Sequence, residues 1–80
     1  MSATDLYQLI ISKWQASLRY ELLAGLRAAP QGAATGTEGW MMIWAFLKKQ
    51  ESEDPTAYAE IAEIVCQLKQ WFRSEGIHLS

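Results

Sequence analysis

Apolar residues recur every three or four positions along most of this chain. Tyr7, Ile11, Trp14, Leu18, Leu22 and Gly25 follow one another at helical spacing, which places them on one face of a helix. A second apolar row, Leu6, Leu9, Ala16, Tyr20 and Leu23, runs beside the first, with the polar row Lys13, Ser17 and Glu21 between them. Ser2 or Thr4 can cap the start, and Asp5 lies in the first turn, where the helix dipole favours a negative charge. Pro30 ends the segment, because its ring cannot continue a helix. The pattern predicts one helix over about 4–29 with two apolar seams.

The stretch from Ala29 to Gly39, APQGAATGTEG, holds three glycines and a proline among small residues and predicts a loop. Thr35 and Glu38 have the spacing of a capping box, with Thr37 as the competing cap. The second helix, over about 38–50, places Trp40, Ile43, Trp44 and Leu47 on one side and Met42 and Phe46 on another. Its eight residues from Trp40 to Leu47 are all apolar, and only Lys48 to Glu51 read as solvated. After the charged connector KKQESEDP, Asp54 is an N-cap and Pro55 sits where a missing N–H costs nothing. The third helix, about 55–75, has the cleanest pattern. Ala57, Tyr58, Ile61, Ile64, Val65, Leu68, Trp71 and Phe72 cover one face, and Glu60, Glu63, Gln67, Gln70 and Ser74 the other. Gly76 and Ile77 predict a left-handed C-cap closed by an apolar contact to Phe72. No strand pattern, repeat or low-complexity tract interrupts this series.

These elements predict an all-α, three-helix bundle-like domain forming a single unit over residues 1–80. Three short helices around one core bury roughly a third to a half of each helix's circumference. The all-round apolar middle helix and the second seam of the first helix exceed that. Either the middle helix is the most buried one, with Met41, Met42 and Ala45 partly exposed, or the surplus forms a patch that needs a second chain. The second reading is the leading one, so the domain is expected to be completed by dimerisation. Its candidate interface residues are Leu6, Leu9, Tyr20, Leu23, Met41, Met42 and Phe46.

Composition narrows the partner. The chain has 80 residues, half of them apolar, with a formal net charge of −2, so it is one small domain with a small core and no positive field to draw in phosphate backbones or anionic lipid. Nucleic acid is therefore disfavoured as a partner. The apolar run of eight is far short of the roughly 20 residues that cross a bilayer, and MSATDLYQ has no secretory-signal pattern. A single cysteine, Cys66, excludes an internal disulfide and predicts a reducing, cytoplasmic setting.

Candidate chemistry is thin. Cys66 with His78 could begin a nucleophilic pair, but Cys66 falls among small residues, near Ala59 and Ala62, and His78 lies in the tail. Glu60 and Glu63 share a helix face, yet one histidine and scattered carboxylates supply no familiar metal set. The sequence thus predicts no catalytic residues, no metal, no cofactor and no small-molecule substrate. A helix-turn-helix reading would carry Glu60 and Glu63 towards phosphates, and the four tryptophans lack the basic groove of a base-stacking platform.

The function these features predict is a small non-enzymatic protein–protein interaction module, a helical homodimer or adaptor, acting as an inhibitor if it occupies a partner's groove. The alternative is a DNA-associated transcriptional regulator whose dimer sets Arg19, Arg27, Lys48 and Lys49 on one surface. A remoter one is a carrier holding a small apolar ligand in the Trp- and Met-lined interior.

Overall fold

The computed structural model describes residues 1–78. It has four helices: α1 (Ala3–Ala16), α2 (Tyr20–Ala28), α3 (Gly36–Glu53) and α4 (Pro55–Ser74). The fold is all-α, with no strand among the described residues. Its radius of gyration of 11.9 Å is that of a compact chain of this length, about 12 Å.

Three of the four helix starts have a local cause. Ser2 and Asp5 form a reciprocal capping box: the Asp5 N–H donates to the Ser2 hydroxyl and the Ser2 N–H to the Asp5 carboxylate. Thr35 caps α3 by accepting from the Glu38 N–H at 3.1 Å, so the helix begins at Gly36. Asp54 caps α4 by accepting from the Ala57 N–H, with Pro55 at the first position. The charged connector predicted between the last two helices shrinks to Asp54 alone. Lys48 to Glu53 continue α3 and hold two intrahelical ion pairs, Lys48 with Glu51 and Lys49 with Glu53.

The largest departure from the sequence reading lies at Ser17–Arg19, where the predicted first helix bends into two. The Leu18 N–H donates to the Gln15 carbonyl at 3.2 Å and the Arg19 N–H to the Trp14 carbonyl at 2.8 Å. This is the two-bond Schellman ending, and it sets Leu18 at φ 62°. That left-handed conformation costs a leucine roughly 1–2 kcal/mol, so something else must hold the bend. Three side-chain bonds to α4 do so. The Trp14 indole Nε1 donates to the Ala57 carbonyl at 3.0 Å, the Ser17 hydroxyl to Glu60 Oε1 at 2.6 Å, and Arg19 Nη2 to Glu60 Oε2 at 2.9 Å. Glu60, assigned by its spacing to a solvated face, is half-buried and clasps both sides of the bend.

The helices pack in a ring in which α1 meets α4, α4 meets α3, α3 meets α2 and α2 meets α1. The α1–α4 and α3–α4 seams are the most extensive. Phe72, fully buried, is the hub of the aromatic core, with Trp40, Trp44 and Trp71 edge-on to it at centroid distances of 6.3, 5.8 and 5.6 Å. Tyr7 reaches across from α1 to Trp40, 5.9 Å away. At the far end of α4, Gly76 at φ 74° and Ile77 close a second Schellman ending, and Ile77 packs back on the core as its pattern predicted.

Candidate interaction surface

The bend at residues 17–19 redistributes the residues of the two predicted seams. A straight helix turns each residue by about 100°, and a left-handed residue breaks that progression, so the rows before and after Leu18 are out of register. The inward row of α1 is Ala3, Leu6, Ile10 and Trp14, and that of α2 is Leu23 and Leu26. Ile10 and Leu26, which neither predicted seam contains, are fully buried.

Two candidate interface residues are thereby corrected. Leu6 and Leu23 are 2% and 3% exposed and belong to the core of the single chain. Phe46 is half-buried: its ring lies on Gly25 of α2 so closely that a methyl group there would come within 2.8 Å of it. Glycine is what lets the aromatic ring meet the helix backbone. Leu9, Tyr20, Met41 and Met42 do face solvent, as does Leu18 at the bend.

These exposed residues sit on different elements. Leu9 stands one turn from Lys13 on α1, and Tyr20 is the first residue of α2. Met41 and Met42 are adjacent on α3, and both lie one turn before exposed Ala45, so helical geometry makes the three neighbours on one outward strip. Inside that helix Ile43, Trp44 and Leu47 enter the core, while Trp40 and Phe46 pack its flanks. The all-round apolar character of Trp40 to Leu47 therefore resolves into an inner side, two packed flanks and an outer strip of Met41, Met42 and Ala45.

Lys48 and Lys49 of α3, and Arg19 at the bend, are all engaged. Lys48 Nζ lies 3.2 Å from Glu51, 3.4 Å from the Tyr58 hydroxyl, and over the rings of Trp44 and Tyr58 at 5.8 and 5.5 Å. Partial burial works against its charge, but the bonds to Glu51 and Tyr58 outweigh that and hold the ammonium above its ordinary pKa. Lys49 is 3.8 Å from Glu53, and Arg19 is bound to Glu60. Three of the four cations that a DNA-binding surface would need are thus already paired with carboxylates.

Other features offer little chemistry. Cys66 is exposed on α4, and His78 is exposed beyond its end. Among the described residues no three His, Cys, Asp or Glu side chains gather as a metal site would require, and no helix is long and apolar enough to cross a membrane. A cleft of about 300 Å³ lies between the 29–35 loop and the start of α3, lined by Pro30, Ala33, Thr35, Gly36, Gly39, Trp40 and Ile43. Its lining carries no ionisable side chain. Comparison of the chain with protein-family models, with curated proteins and with solved structures yields no match.

Proposed function

We propose that the chain is a small non-enzymatic interaction module that docks a protein partner on the outer strip of α3. The observation that carries this reading is the position of Met41 and Met42, 41% and 37% exposed on a helix whose inner side is already filled. Methionine is suited to such a surface, because its unbranched, polarisable side chain adapts to the shape placed against it. The pairing of Arg19, Lys48 and Lys49 with carboxylates favours a protein partner over nucleic acid. An adaptor or inhibitor role in the cytoplasm follows from this reading.

The test is affinity purification with the wild type and with the Met41→Glu/Met42→Glu double variant, each partner being identified by mass spectrometry. A partner captured by the first and lost by the second, at unchanged circular dichroism, supports the reading. Equal capture by both proteins removes it. Both substitutions lie on a solvent-facing strip, so they should alter stability by under about 0.5 kcal/mol.

A further inference from the structure

The bend between α1 and α2 contradicts the sequence on either side of it. From Ala3 to Ala24 there is no glycine or proline, and the apolar spacing runs through residues 17–19 as if the helix were continuous. The bend instead puts Leu18 at φ 62° and leaves the residue 67% exposed, and it buries Arg19 Nε without a protein acceptor. We propose that Ser17–Arg19 is a hinge that straightens to join α1 and α2 in one helix, so that two copies of the chain exchange α1. Short hinges under strain favour this kind of exchange.

The exchange keeps the seating of α1 on α4. In the closed chain α1 is seated chiefly on α4, through contacts far apart in sequence such as the Trp14 indole on the Ala57 carbonyl and Ser17 on Glu60. A second copy offers the same α4 surface, so these contacts re-form between chains. Straightening removes the left-handed leucine, and the two turn bonds at Leu18 and Arg19 become regular helical ones to the carbonyls of Trp14 and Gln15. The continuous helix, residues 3 to 28, is about 39 Å long, longer than the 32 Å long axis of the closed chain. It carries Leu18 onto the row of Trp14 and Leu22, where the two straightened helices can cross and cover it. This proposal rests on the bend and not on the methionines of α3, so the two readings fail separately.

The experiment is to refold the wild type from denaturant at millimolar concentration, separate species by size exclusion with light scattering, and examine the dimer made from an equimolar mixture of isotope-labelled and unlabelled chains. An isotope-filtered cross-peak from the Trp14 indole proton of one chain to Ala57 of the other is expected. Leu18→Gly relieves the closed bend and weakens the straight helix, about tenfold per chain and therefore about a hundredfold in dimer association. Leu18→Ile, whose branched side chain tolerates the left-handed conformation least, should raise the dimer fraction. The proposal is overturned if wild type and Leu18→Ile are both monomeric at that concentration, or if Leu18→Gly leaves the dimer fraction unchanged. It is equally overturned by a dimer whose Trp14–Ala57 contact stays within one chain. That last result, with loss of the dimer in Met42→Glu, would mark association through α3 instead.

Discussion

Helices α1 and α4 end in the same hydrogen-bond motif, yet the two ends are held by different means. In each, a fully buried aromatic residue offers its carbonyl to the N–H five positions on, Trp14 to Arg19 and Phe72 to Ile77. The left-handed position is Gly76 in α4 and Leu18 in α1. The next residue closes the α4 motif by packing on the core, since Ile77 is apolar. In α1 that residue is Arg19, which closes nothing locally and reaches Glu60, 41 positions away. One end is specified by adjacent residues; the other is imposed by the helix it packs against.

The largest effects should come from the two buried rings beneath these motifs. Trp14→Ala and Phe72→Ala should each cost about 3–5 kcal/mol in urea unfolding, as large aromatic truncations do, and so remove much of the stability of a domain this small. A loss under about 1 kcal/mol for either would mean that its motif does not rest on the core. Next comes the glycine: Gly76→Ala forces an L side chain into a left-handed position and should cost about 1 kcal/mol. Leu18→Gly should act in the opposite direction. It relieves the strained leucine but loosens the unfolded chain, leaving a net gain of about 0.5–1 kcal/mol. If Leu18→Gly destabilises as much as Gly76→Ala, the contrast between the two ends fails.

The same contrast explains what could be read from the sequence. The course of α4 was legible throughout, because Asp54, Pro55, Gly76 and the periodic row from Ala57 to Phe72 are all local signals. The all-α class is legible for the same reason, and so are the caps of α1 and α3 as pairs of candidates, Ser2 or Thr4 and Thr35 or Thr37, of which the structure uses Ser2 and Thr35. The break at residues 17–19 carries no local signal: serine, leucine and arginine all tolerate a helix. Its causes are the Ala57 carbonyl and the Glu60 carboxylate, and nothing in their spacing on α4 pairs them with Trp14, Ser17 or Arg19. A straight helix through this bend places Leu6 and Leu23 on its outer side and Ile10 and Leu26 on neither seam, whereas all four are buried. The outer strip of α3 was half legible. Its run of apolar residues signalled a surplus, but only the seating of Phe46 on Gly25 separates packed flank from exposed strip. Gln50, in a stretch read as solvated, is buried and donates to the Phe46 carbonyl at 3.3 Å.

The smallest effect, and the most specific to the bend, is its response to acid. The Arg19 guanidinium, followed by the Ser17 hydroxyl, holds the Glu60 carboxyl below its ordinary pKa, and Glu60 in turn raises that of Arg19, which therefore stays charged. A carboxyl with a depressed folded pKa adds stability that is fully present above its unfolded value and is lost as the pH falls through the folded one. The clasp should therefore weaken below the ordinary carboxylate range, from about pH 4 downwards. Both side chains are partly exposed, 30% and 28%, so water and salt screen the pair and the effect stays modest. Asp5 has the same sign, its carboxyl being lowered first by the Ser2 backbone N–H and then by the Ser2 side chain, so the wild-type acid limb contains both groups. Comparing Glu60→Gln with Asp5→Asn separates them. Glu60→Gln should flatten part of the acid limb and remove the share of the salt sensitivity at neutral pH that the Arg19–Glu60 pair contributes, with loss of order read at the Trp14 indole resonance. Asp5→Asn should flatten the other part and leave that resonance in place. If Glu60→Gln leaves both the acid limb and the Trp14 resonance unchanged, Glu60 does not hold the bend.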